Sequence, residues 1–342
     1  MPQQNEENHY VPQMYLRNWS TDGNKVWLYR KLVSSSKVKL WEYKSIAYTA
    51  VSTHFYSHIE NNSVSDEFEK WLNYEVETPA KPAFEKVVLG YTLSRDELFA
   101  LIKFTVVQMV RTPAYYVNQH EEWINGVPRA VEKTAIDLPR KIKSAIKNRK
   151  LLPRESEEIN DKWLPMKLSL EKQSDGASNL IFETAVGRSM LLSQIKRVAT
   201  THTSVLQTYC WHIIKVAPGI EWPTSDDPVI RLCNRGENNY NFEGGIMQKN
   251  VEIIFPLSPE YLLYTRVGSK NSADCYQENY EFSKLVRHFI FEHGFLHIYS
   301  KSKQKGMFLN NSRIINSKEY NRITEMLKNW HVKNDEIERK FF

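Results

Sequence analysis

The residues of this chain whose types could do chemistry are His9, Gln108 with Arg111, and Ser225 with Asp226. An imidazole changes charge near neutral pH, so His9 suits general acid–base work. Arg111 offers a rigid donor fork for a carboxylate or phosphate, and Gln108, one helical turn earlier, would position the bound group. Asp226 would orient His9 or act as a second base, with Ser225 beside it. Glu75 falls on the apolar stripe of Phe68, Trp71 and Leu72, so its carboxylate lies either at the rim of the stripe or buried with a partner such as Arg111. On this reading His9, Arg111 and Asp226 are catalytic, while Gln108, Ser225 and Glu75 contact the substrate. The same residues also read as structural. Arg111 would then clamp Glu75, His9 would sit in a segment anchored by Tyr10 to Trp19, and Pro223 to Pro228 would make a turn.

A charged segment accompanies them. Residues 128–154 hold nine Lys or Arg against Glu132 and Asp137, a local excess greater than the +6 of the whole chain. Arg140, Lys143, Lys147 and Lys150 share one helical face. Such a face is either solvated or a track for phosphates, which makes RNA or another phosphate-bearing ligand the expected partner.

The elements that must hold these groups follow from periodicity. Strands are expected at 26–29 and 37–43, then a helical middle at 65–206 and a β-rich part at 207–300, giving an α+β fold. Ser94-Arg95-Asp96-Glu97 is a capping box that opens an apolar helix running to about Arg111, where Thr112-Pro113 stops or kinks it. A further helix is expected from Asp137 to about Lys150, and residues 153–176 read as a long connection. A long helical segment is expected over Leu180 to Leu206, and another helix over 278–292. Residues 1–8 read as a disordered start, 9–300 as one intertwined domain, and 301–342 as an extension ending in a helix.

The chain has 342 residues, 46 Lys+Arg against 40 Asp+Glu, and 41% apolar residues, the mix of an ordinary globular protein. A run of about 18 apolar residues is missing, and so is a leader, so a cytoplasmic protein that does not enter a membrane is expected. Cys210, Cys233 and Cys275 are odd in number and far apart, which disfavours a disulfide framework or a Cys-type zinc site. P-loop, dinucleotide, HExxH and GxSxG signatures are absent. No metal ligand set and no cofactor is expected.

Taken together, His9-x-x-Pro12-x-x-Tyr15-Leu16, Gln108-x-x-Arg111-Thr-Pro113, Ser225-Asp226-x-Pro228, Pro256-Leu-Ser-Pro259 and Ile298-Tyr-Ser300 resemble one mainly bacterial family, catalogued as domain of unknown function 4238. The resemblance spans roughly residues 9 to 300. It implies that His9, Gln108, Arg111, Ser225 and Asp226 belong together, and it brings no reaction. The family's usual Asn after the Ser-Asp pair is Asp227 here, which leaves open which acid matters. The reading is metal-independent, nuclease-like phosphodiester cleavage of RNA, as a toxin or defence effector. A non-catalytic sensor that binds nucleic acid or an anionic ligand is the alternative, and a buried polar lock is a third.

Overall fold

A computed structural model of the chain describes residues 7–60, 63–148, 166–172, 178–234, 236, 239–270, 279–303 and 312–340. The described chain starts as a strand, Glu7–His9, paired antiparallel with Val51–Thr53 so that His9 stands opposite Val51. A single helical turn, Gln13–Leu16, follows, and Tyr15, Leu16 and Trp19 are sealed from solvent. The Tyr15 hydroxyl meets Thr224 Oγ1 at 2.6 Å and donates to the Pro256 carbonyl at 2.8 Å. Trp19 Nε1 donates to the Trp222 carbonyl at 2.8 Å. The N-terminal segment is thereby tied to the C-terminal strands.

The fold is α+β, and its two larger sheets are antiparallel. One runs in the order Thr224–Ser225, His297–Ser300, Lys25–Arg30, Trp41–Ser45. The other runs His212–Lys215, Tyr261–Arg266, Glu252–Pro256, Ile230–Asn234, Tyr240–Asn241. Between and around them lie the helices. The central helix, Arg95–Gln108, opens on the expected box: Glu97 N donates to Ser94 Oγ at 3.3 Å, and Ser94 N donates to Glu97 Oε2 at 2.7 Å. Its Leu101, Ile102, Phe104, Val106 and Val107 are buried, and Phe104 packs edge-on to Phe84 with ring centres 5.0 Å apart. Truncating a ring in such a core costs about 3–5 kcal/mol.

Three expectations are corrected. The helix expected to begin at Asp137 begins at Pro113 and continues to Lys147. Thr112 caps it, its Oγ1 accepting from Tyr115 N at 3.2 Å, so Pro113 occupies a first-turn position where its missing N–H costs nothing. Residues 180–184, expected to open a long helix, belong to the strand Ser178–Thr184, which pairs with Met166–Lys172, a strand inside the connection expected at 153–176. The apolar run there fits either state, and the neighbouring strand, only five residues away along the chain, decides. Helix then resumes at Arg188–Arg197, directly after Gly187. A Cβ on Gly187 would lie 2.4 Å from Asn334 Oδ1, so close packing against the last helix, Trp330–Glu338, excludes a larger residue.

The third correction concerns helical phase. The helix Glu67–Leu72 passes through a wide π-type turn, Asn73–Glu77, before continuing as Thr78–Val88. A π turn inserts one residue into the α-helical count and offsets everything beyond it. Phe68, Leu72 and Val76 remain buried, but Glu75 is carried to the rim, where it pairs with Lys103 at 3.0 Å. Arg111 finds Glu77 in its place, at 2.8 Å.

Candidate functional site

His9 and Arg111 do meet, on the wall of a cleft of about 610 Å³ that also includes Tyr56 and Glu77. Arg111, 1% exposed, donates through Nη2 to the His9 carbonyl at 2.9 Å and through Nε to the Tyr56 hydroxyl at 3.3 Å. Gln108 Nε2 donates to the Tyr10 carbonyl at 2.9 Å. The two side chains of the Gln-x-x-Arg pair therefore hold consecutive backbone carbonyls of the N-terminal segment. Burial opposes the charge on Arg111, but Tyr56 and Glu77 outweigh it and hold the guanidinium above its usual pKa. Burial lowers the pKa of His9, against the opposing pull of the Ile46 carbonyl, which lies 3.4 Å from Nε2.

Asp226 lies outside this cleft. Its carboxylate accepts from the backbone N–H groups of Phe295, Leu296 and His297 at 2.9, 2.8 and 3.0 Å. Those bonds fix the turn entering the strand His297–Ser300. Ser225 is similarly spent: its Oγ donates to the Asp227 carbonyl at 2.8 Å and accepts from Asp227 N at 3.2 Å. Arg140, Lys143 and Lys147 are exposed on the long helix and line neither cleft, and Lys150 lies outside the described residues.

A second cleft, of about 690 Å³, gathers what spacing did not reveal. Asp227 and His293 share its wall with Tyr115, Asn118, Arg231 and Tyr240. His293 Nε2 is 3.1 Å from Asp227 Oδ2, both side chains being about nine-tenths buried. The other carboxylate oxygen, Oδ1, accepts from Thr112 Oγ1 at 3.0 Å. Thr112 thus links the start of the long helix to the acid.

His293 ends the helix Tyr280–His293. Lys31, 8% exposed, donates to the carbonyls of Glu292 and Gly294 and so closes that helix end. A Cβ on Gly294 would meet Ile298 Cδ1 at 2.4 Å and Ser225 Cβ at 3.0 Å, so glycine lets the chain pass close to both. The Phe242 ring lies 5.3 Å from the imidazole and limits its tilt.

Arg231, half-buried, forms no ion pair among the described residues. Burial raises the pKa of Tyr115, and Arg231 pulls it back. Tyr240, pushed up to about 12 by burial and then by Glu292, donates to Glu292 Oε2 at 2.6 Å. The arrangement is an acid–base pair beside an unspent cation, equipped to move a proton on an anionic ligand.

Among the described residues, no group of three or more His, Cys, Asp or Glu side chains could hold a metal ion, and no helix is long and apolar enough to cross a membrane. In the sequence Asp227 stands out as a departure from a motif that leaves open which acid matters. His293, 66 positions later, carried no signal beyond closing an expected helix.

A family model described as "Protein of unknown function (DUF4238)" matches residues 7–329. No curated protein and no solved structure matches the chain.

Proposed function

Because the chain belongs to the DUF4238 family, whose description assigns no reaction, we propose from the second cleft that it is an acid–base enzyme cleaving RNA phosphodiesters. The observation that carries this reading is the His293–Asp227 contact at 3.1 Å on a cleft wall shared with Arg231. Nε2 is the nitrogen nearest the carboxylate, without being aligned to hydrogen-bond with it, which would leave Nδ1 for substrate. It would take the proton of a ribose 2′-hydroxyl. The 2′ oxygen would then bond to phosphorus as the P–O5′ bond breaks, giving a 2′,3′-cyclic phosphate and a 5′-hydroxyl protonated from solvent. Asp227 would stabilise the imidazolium, and Arg231 the charge gathering on the phosphoryl oxygens. In the cytoplasm such an enzyme would meet cellular RNA as a toxin or defence effector.

The test is incubation of the purified chain with a mixed-sequence RNA, with and without divalent metal. Fragments ending in cyclic phosphate are expected, with His293→Ala slowing cleavage by about 10²–10⁴-fold at an unchanged melting temperature. Full-rate cleavage by that variant, or cleavage of a 2′-deoxy strand, would refute the assignment. RNA retained intact would support the non-catalytic binding alternative.

A further inference from the structure

The helix Pro113–Lys147 enters the second cleft at one end and carries the basic segment at the other. At about 100° per residue, Tyr115 and Asn118 fall within the same arc of about 80° as Arg129, Lys133, Arg140, Lys143 and Lys147. The cleft-facing side of the first turns and the basic stripe are therefore one continuous helix face. On the far side, Tyr116 and Trp123 are buried, with Tyr116 set edge-on against Trp330 at 4.5 Å, so the rotation of the helix is fixed.

All five basic side chains are exposed. Arg140 pairs with Asp137 at 3.2 Å, and the other four make no ion pair among the described residues. Glu122 is the one acid in that arc. At about 1.5 Å per residue the stripe begins about 16 Å beyond Asn118 and ends about 44 Å beyond it. A single row of exposed cations, four of the five without an ion pair, leading out of a cleft suits a linear polyanion.

We infer that this face is a docking track for the backbone of single-stranded RNA whose scissile phosphate lies in the cleft. The inference rests on the proposed chemistry and adds to it a polymeric substrate, engaging about ten nucleotides. Five phosphate contacts would give log K a slope of about −3.5 against log salt.

The experiment measures fluorescence anisotropy of labelled RNA on full-length His293→Ala, from 50 to 200 mM salt. A 12-mer is expected to bind about tenfold or more tighter than a 3-mer, with the slope above. Adding Arg140→Gln, Lys143→Gln and Lys147→Gln should cut the slope to about −1.4 and remove most of the 12-mer's advantage. Equal affinity for the two lengths, an unchanged slope in the triple variant, or preference for a DNA 12-mer over the RNA would each overturn the track. If the triple variant fails to melt cooperatively, the length ratio and slope of His293→Ala alone decide. Cleavage by the wild type that ignores length sinks the track and leaves the chemistry. Length-dependent binding without any cleavage supports the track and sinks the chemistry.

Discussion

Arg111 Nη2 lies 2.8 Å from Glu77 Oε1, and that bond, with the one to the His9 carbonyl, pins the first strand to the end of the central helix. Arg111→Met would leave Glu77, the His9 carbonyl and the Tyr56 hydroxyl each short of a partner. The expected loss is on the order of 3–5 kcal/mol in chemical denaturation, the range for breaking a buried pair. Hydrogen exchange at residues 7–10 should quicken with it. An unshifted denaturation midpoint would contradict the structural role.

Asp226 and Asp227 are neighbours with separate duties. Asp226→Asn sets an amide N–H₂ or a single oxygen against three backbone donors and should cost about 3 kcal/mol of stability, read by denaturant melts. Asp227→Asn should instead lower kcat for RNA while shifting the melting temperature less. Reversal of the two outcomes would mean that the wrong acid faces the chemistry.

Lys31 gives stability a signature at alkaline pH. Burial lowers its pKa from 10.5 to about 8, against opposing pulls from Asp226, Glu292 and Asp227. Between those values the unfolded lysine holds a proton that the folded one has released, so stability rises with pH across the window. The neutral amine still has donors for both carbonyls at the helix end. Denaturation at pH 7, 8, 9 and 10 should show wild-type stability climbing relative to Lys31→Met, and parallel curves would refute it.

His9 acts at the other end of the scale. Its folded pKa lies below 6.5, chiefly through burial, so below that value the unfolded state binds the proton more readily. Its contribution is complete above pH 6.5 and is lost as the pH falls. Thermal melts between pH 7.5 and 5 should drop more steeply for wild type than for His9→Gln.

Local patterns in the sequence translated directly into structure. The capping box at Ser94 and Glu97 involves four successive residues and needs nothing from elsewhere, and the strand Lys25–Arg30 is a run of β-favouring residues directly after Asp22-Gly23-Asn24. Features that depend on a partner segment were hidden, whether that segment is near or far. Leu180 to Phe182 look the same in a helix or a strand until Met166–Lys172, five residues before their own strand, pairs beside them. Glu75 was placed by a uniform 3.6-residue period that the turn at Asn73–Glu77 breaks. The motif residues His9, Gln108 and Arg111 were found together, but Gln108 and Arg111 grip backbone, which sequence cannot distinguish from gripping a ligand. His293 and Asp227 meet only because Asp226 and Lys31 shape the chain between them.

The wide turn at Asn73–Glu77 gives the helix room for one residue more than a regular spiral would hold. Deleting one residue there would iron the spiral into a regular one and leave Thr78–Val88 at nearly its present angle to what precedes it. Tolerance of such a deletion then rests on a single reach, that of Glu77 to its guanidinium.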